Sequence, residues 1–534
     1  MPIDNWFLTA DERGNPATAI DRRRGSGEAW TDGNTVTPLI HGATYFARLL
    51  AAFAELREGD HVLLTDWRGD HDELLGPTGP TLGAALSDLA RRGVQVRGML
   101  WRSHPRFLGF HKEKERELVG KVNDAGGTIL LDERVRRGGS HHQKVVLLLH
   151  PGRPQVDVGF VGGIDLCHGR RDDEHHQGDP QGEQLDPAYG PHPPWHDIQA
   201  EVRGPVLSDL VETFRERWDD PTPLEHKNKV VARITAGGRS EETNPGLLTA
   251  LGPPPHPAGG THTVQVLRTY PAKRPGYPFA PDGERSIARI YAKALSRARS
   301  FIYVEDQYFW SEEIASLYED ALRRAPELRM IVVVPRHPDR NGAFSGPANR
   351  LGQLAMLSRL ADAGRDRVAI YDLENQQGTA IYVHAKVVVI DDTFAMIGSD
   401  NMNRRSWTHD SEVSIAVLDE TRDERAPTDP ARLGEGARRF ARDLRLQLWR
   451  EHLDANGDAG LIDTDEGFER WRETAAALDA WHDGGRRGDR PAGRIRPHSP
   501  RAVAPWQRIW SWPIYRAVVD PDGRPAELQR TRSF

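Results

Sequence analysis

The sequence predicts an α/β protein of two similar lobes related by internal duplication, each a mixed β-sheet flanked by helices, with the active site at the lobe interface. Two observations carry that prediction. The first is a segment that occurs twice: HQKVVLLLHPGRPQVDVGFVGGID from His142 to Asp165, and HAKVVVIDDTFAMIGSDN from His384 to Asn401. The second is that the elements around the two copies follow the same order, which points to duplication of a whole structural unit.

Each slot of the repeat has a local reason. Asp60–Trp67 (DHVLLTDW) and Ser300–Trp310 (SFIYVEDQYFW) are apolar, β-prone runs and read as strands. LSDLARRG and EDALRRAPE follow as amphipathic helices. VQVRGMLWRSHP and LRMIVVVPRHPD are second strands that end near a proline. The His/Lys strands come next, then a return strand ending in small residues. After them stand strands bearing acidic residues, in PWHDI and HDSEV. The helices VLSDLVETFRERW and ARRFARDLRLQLWREHL close the two units. Strands that are apolar throughout, alternating with helices, imply a sheet buried on both faces.

The boundaries follow. Residues 1–220 form the first lobe, 221–262 a Pro/Gly/Thr-rich linker, 263–455 the second lobe and 456–534 a C-terminal extension. The net charge of −7 weighs against nucleic acid as the partner. Cys167 is the only cysteine, so no intrachain disulfide forms, and a small buried residue is its expected role. No signal peptide or membrane-spanning run is expected, which predicts a cytoplasmic, peripherally membrane-associated chain. The stretch APWQRIWSWPIYRAVV has two readings: an arm docked on the body, or a segment at a bilayer interface.

Side chains two apart on a strand share a face, so His142 projects with Lys144 and His384 with Lys386. Two imidazoles, each beside a fixed cation, suit cleavage of a phosphodiester: one attacks, the other protonates the departing oxygen, and the cations hold the negative charge.

The pattern HxKxxxxD followed by GSxN, present twice, resembles the phospholipase D superfamily. The second copy matches fully through His384, Lys386, Asp391, Gly398, Ser399 and Asn401. GFVGGIDLC, PWHDI and FIYVEDQYF are similar to the eukaryotic-type subgroup, without its lipid-targeting modules. The resemblance implies hydrolysis of a phosphatidylcholine-like glycerophospholipid to phosphatidic acid through a phosphohistidine, with alcohol exchange from the same intermediate. His142 would be the nucleophile and His384 the acid and base. Lys144, Lys386, Ser399 and Asn401 would hold the phosphate, with Asp165 in the slot of Asn401 and turned to a Lys or His. Asp197 would orient His142, and Glu412 would orient His384. The implied partners are a phospholipid at a membrane surface and a water or alcohol acceptor. No cofactor and no catalytic metal are implied, and a monomer is expected. Cardiolipin-synthase-like transfer, a metal-independent nuclease and an inactive phosphate- or lipid-binding scaffold are the alternatives.

The first copy departs from the motif with Leu149 where the second has Asp391. Asp391 lies at an odd offset from His384 and opens a turn, so it reads as a structural residue, and the HPG turn after Leu149 supplies the bend another way. A degenerate first site is the rival reading. Glu305 and Asp306 read equally as groups behind the site or as strand-end polar residues. His141 is expected on the face opposite the chemistry. Arg171–Pro180 (RDDEHHQGDP) fits no closed zinc spacing and reads as a solvated loop.

Overall fold

The computed structural model describes residues 3–21, 27–102, 112–224, 248, 257, 259–339, 345–500 and 502–534. Both lobes carry a sheet with the same strand order. In the first lobe the order is Thr128–Asp132, Gln95–Trp101, His61–Asp66, Val145–Leu149, Val158–Gly162, Ile198–Arg203 and Thr31–Ile40. In the second it is Val368–Glu374, Arg329–Val333, Phe301–Asp306, Lys386–Ile390, Phe394–Gly398, Glu412–Asp419 and His262–Tyr270. The first three strands of each sheet run parallel and the rest pair antiparallel. The two sheets meet where Thr31–Ile40 pairs with His262–Tyr270.

Successive residues along each strand enter different cores, as the period of two requires. Val145, Leu147 and Leu149 join Val387 and Val389 in one apolar core shared by both lobes. Val146 and Leu148 face the outer core of the first lobe, and Val388 and Ile390 that of the second. The shared core also takes the apolar faces of the helices Val206–Trp218 and Arg439–His452. Burial on both faces is why these strands read as unbroken apolar runs.

Some elements were not legible. The strand Thr31–Ile40 (TDGNTVTPLI) is only partly buried and holds Pro38, which a strand unpaired on one side at that point tolerates. The helix–strand pairs before the His/Lys strands, Lys112–Asp124 with Thr128–Asp132 and Ser345–Gly364 with Val368–Glu374, were also missed. The His/Lys strands begin later than expected, at Val145 and Lys386, so both histidines lie just ahead of their sheets.

Chain ends cross the expected boundaries. Trp6 and Arg13 fall within the expected first lobe, yet Trp6 stacks on Phe394 and Arg13 pairs with Glu284 at 3.0 Å, both in the second. Most of the 221–262 linker lies outside the described residues. The C-terminal extension is part of the second lobe: Trp471 is buried against Trp449 and Tyr303, and Ile495–Pro497 pairs with Tyr371–Leu373. The helix Pro505–Ile514 docks as an arm on Ser345–Gly364, where a side chain at Gly352 would collide with the Tyr515 ring. Its outer face leaves Ile509 80% and Trp506 64% exposed. Among the described residues no helix is long and apolar enough to cross a membrane.

Candidate active site

Both histidines open into one cavity of about 700 Å³, lined also by Trp67, Arg170, Trp195, Gln307, Tyr382 and Asn401. Each sits where the chain leaves its own lobe and pairs with the other. Ala380–Val383 runs parallel to Trp195–His196, and the His384 N–H donates to the His196 carbonyl at 2.8 Å. In the mirror arrangement His141 bridges Ser411, and the His142 N–H donates to the Ser411 carbonyl at 2.8 Å.

That crossing corrects the expected pairing. His142 Nδ1 bonds Glu412 Oε2 at 2.8 Å, and His384 Nδ1 bonds Asp197 Oδ2 at 2.7 Å. Each imidazole is therefore oriented by the carboxylate of the opposite repeat. Symmetry of the sequence assigns a carboxylate to each half but not to a histidine; the inter-lobe strand pairing decides that. Each pair holds a proton on the Nδ1 side and leaves Nε2 free for chemistry.

Burial pushes both imidazoles well below the usual histidine range, with Lys144 adding to the effect at His142 and Lys386 at His384. Burial, and then the nearby Asp410, pushes Glu412 up; burial also raises Asp197. Both lysines are buried beneath the cavity. Lys144 Nζ bonds Asp165 at 3.0 Å and the His142 carbonyl at 3.2 Å. Lys386 Nζ bonds Gln307 Oε1 at 3.3 Å and the His384 carbonyl. Burial brings Lys386 down to about 8. Its charge reaches His142 as well as His384, so the two repeats share one electrostatic site.

Asp165 lies against a lysine, as expected: it sits on Lys144 at 3.0 Å and also on Arg170 at 3.3 Å. These cations hold it well below the usual carboxylate range against its burial. Ser399 Oγ donates to Glu412 Oε2 at 2.6 Å, so its hydroxyl braces a carboxylate, and Ser399 is not among the residues that line the cavity. The first lobe has Gly163 in that slot, where a Cβ would lie 2.3 Å from Asp197 Oδ1. Asn401 does line the cavity, and its Oδ1 has no hydrogen-bond partner among the described residues.

Asp391 does not line the cavity. It accepts the N–H groups of Arg299, Ser300 and Phe301 at 2.8–2.9 Å and fastens the turn to the start of Phe301–Asp306. Leu149 fills the shared core in its place. There the turn is held by Asp157, which accepts the His150 N–H at 2.6 Å, and by Arg153, which pairs with Asp60 at 2.6 Å. The missing motif carboxylate thus leaves His142 and Lys144 in the same arrangement as their counterparts.

Asp306 accepts three backbone N–H groups, from Tyr308, Phe309 and Met402. Glu305 bonds His196 and His452 behind the site. His141 is buried on Gln143, off the cavity, as expected. The loop Arg171–Pro180 is not simply solvated: His176 and Asp179 are fully buried, drawn in by Trp195, Glu451 and backbone N–H groups. Sequence reasoning missed Arg170, whose guanidinium lies 4.0 Å from the Trp195 ring centre, and Trp195 itself, 5.0 Å from the His384 ring. Both flank motifs already singled out, but nothing local signals that they line the site.

The family model for phospholipase D matches residues 73–244, and the model for the cardiolipin synthase, PLD-like domain matches residues 291–426. The chain belongs to the phospholipase D superfamily. Each model falls on one lobe, and each contains one of the two crossed histidines. Phospholipase D alpha 1 of Cynara cardunculus is 25% identical over 515 residues, covering 73% of this chain and 59% of the relative. Phospholipase D alpha 1 of Vigna unguiculata is 27% identical over 485 residues, covering 70% and 58%. The chain therefore spans less than two-thirds of the length of these relatives. Among solved structures, phosphatidylserine synthase of Haemophilus influenzae is similar with a TM-score of 0.48 and 13% identity, over 72% of this chain and 82% of that one.

Proposed function

We propose that this chain is a phospholipase D acting on glycerophospholipids at a membrane surface. The observation that carries the reading is the crossed pair of imidazoles, each with Nδ1 on a buried carboxylate and Nε2 free, in one cavity over two buried lysines. One Nε2, assigned to His142, attacks phosphorus and forms the P–N bond. The P–O bond to the head-group alcohol breaks, and the second imidazole gives that oxygen its proton. Water, or another alcohol, then loses a proton to the same imidazole and displaces the first, so the P–N bond breaks and phosphatidic acid or a new diester leaves.

Burial first, and the lysine charges after it, hold the imidazoles down; entry of a phosphodiester anion offsets the lysine part, which favours the protonated acid, His384. Lys144, Lys386, Arg170 and Asn401 supply the charge and hydrogen-bond donors for the non-bridging oxygens. A lipid surface is supported by the C-terminal arm. From Arg501 to Val519 it holds no Asp or Glu; Arg508 and Arg516 stand beside exposed Trp506, Ile509 and Trp512. Val518, 62% exposed, also lines the catalytic cavity, so the apolar face is continuous with the mouth of the site.

The match of the second lobe to the cardiolipin synthase model favours a second reading, phosphatidyl transfer to an alcohol acceptor. Both start from the same phosphohistidine, and one experiment separates them. Purified chain is given phosphatidylcholine and phosphatidylglycerol vesicles, with and without ethanol, and products are read by mass spectrometry. Phosphatidic acid with free choline, diverted to phosphatidylethanol by ethanol, is expected. Cardiolipin as the main product would favour the transferase. Failure to turn over either lipid or a nitrophenyl phosphodiester would overturn the enzyme reading.

A further inference from the structure

Directly behind the Asp197–His384 pair lies a second cluster that the phosphodiester chemistry does not use. His41 follows the strand Thr31–Ile40, His176 comes from the Arg171–Pro180 loop, and His196 adjoins Asp197; Glu451 reaches in from the helix Arg439–His452 of the second lobe. One ligating atom from each lies within 4.8 Å of those of the others. His41 Nε2 is 2.8 Å from Glu451 Oε2; His176 Nε2 is 3.0 Å and His196 Nδ1 3.5 Å from Oε1. Zinc bonds of about 2.0–2.1 Å in a tetrahedron give ligand-to-ligand edges of about 3.3 Å, so these histidine-to-carboxylate separations fit the edges of such a coordination sphere as well as they fit hydrogen bonds.

The outer contacts support the same conclusion. His176 Nδ1 faces the Trp195 carbonyl at 3.0 Å, and His196 Nε2 faces Glu305 at 2.7 Å. With hydrogens on those outer nitrogens, the inner nitrogens of both rings are left unprotonated beside the same oxygen, Glu451 Oε1. Glu305 is itself fixed by the Tyr303 hydroxyl at 2.6 Å and His452 at 2.8 Å. Carboxylate and carbonyl partners of this kind set the tautomer of metal-bound histidines. Among the described residues no lysine or arginine pairs with Glu451 or Glu305; their partners are histidines and a tyrosine. The neighbouring group of Asp70, His168 and Glu183 differs, because Arg68 and Lys114 already supply its cations.

We propose that His41, His176, His196 and Glu451 form a structural site for a divalent transition-metal ion, zinc by the nature of its donors. Three imidazoles and one carboxylate complete a tetrahedron and leave no open position, which suits a structural ion. The ion ties the first lobe to the helix Arg439–His452. It also fixes His196, whose carbonyl holds the His384 backbone and whose neighbour Asp197 holds the His384 ring. The rival occupant of the same place is protons on the rings, bonded to the carboxylates.

The test uses the full chain, expressed with zinc in the medium and no polyhistidine tag, then gel-filtered and assayed for metal by mass spectrometry. One zinc per chain is expected, with X-ray absorption giving nitrogen and oxygen neighbours at about 2.0–2.1 Å and outer scattering from imidazole. His176→Ala should lose the metal. Glu305→Gln keeps all four ligands and should weaken zinc affinity about 10–100-fold. Wild-type chain that is zinc-free and takes up none on titration overturns the proposal and leaves the protonated network. So does zinc without imidazole scattering, or a Glu305→Gln variant that holds zinc as tightly as wild type. The last two readouts decide the matter even if His176→Ala fails to fold.

Discussion

The crossed pairing gives the sharpest prediction, because the two carboxylates differ in how they tolerate an amide. Glu412 Oε2 accepts both the His142 Nδ1 hydrogen and the Ser399 hydroxyl, while Oε1 has no hydrogen-bond partner among the described residues. In Glu412→Gln the new amide can turn its carbonyl to both donors, so the substitution removes charge but not geometry. A hydrogen bond to a charged group contributes about 1.5–3 kcal/mol, which is about 10–150-fold in rate. Asp197 uses both oxygens: Oδ1 accepts the Ile198 N–H at 2.9 Å and Oδ2 the His384 ring. In Asp197→Asn one donor must meet an NH2 group. If it is His384, the ring is forced into the wrong tautomer, and losses of about 10⁴-fold are typical of that.

The assay is pre-steady-state turnover of a nitrophenyl phosphodiester, whose leaving group needs no acid. Glu412→Gln should behave as a weakened His142→Ala and Asp197→Asn as a weakened His384→Ala. With His142 as nucleophile, Glu412→Gln slows the nitrophenol burst. Asp197→Asn keeps the burst and stalls at the phosphoenzyme, seen by intact-protein mass spectrometry. The reverse association, Glu412→Gln resembling His384→Ala, would refute the reasoning, because each carboxylate would then serve the histidine of its own repeat.

Three further predictions concern other parts of the site. Lys386 is charged below about pH 8 and neutral above it, so KM for an anionic diester should rise as pH passes about 8, and Lys386→Arg, which stays charged, should flatten that rise. Asp391→Asn replaces one acceptor among three backbone N–H groups and should cost about 1–3 kcal/mol, lowering Tm with kcat unchanged; a selective fall in kcat would restore Asp391 to the chemistry. Ile509→Asp and Trp506→Ala should weaken binding to anionic vesicles and slow lipid turnover while sparing a soluble diester, and equal losses on both substrates would separate the arm from the membrane.

The duplicated motif determined much of this protein by itself. Apolar runs of Val, Leu and Ile after His142 and His384 specify doubly buried strands, because only a strand covered on both faces of its sheet can be apolar at every position. The motif spacing identified both histidines and lysines, and the odd offset of Asp391 marked it as a turn residue. The strand Thr31–Ile40 escaped because its partners, Ile198–Arg203 and His262–Tyr270, are remote in sequence and its own composition is polar. What only the tertiary structure decided is which side chains meet. Periodicity places a residue on a face of its own element, whereas His142 with Glu412 and His384 with Asp197 are contacts between lobes. The same holds for His41, His176, His196 and Glu451, which come from a strand end, a loop, a second strand and a helix. Their convergence depends on how the two repeats pack, and no local pattern along the chain encodes that distance.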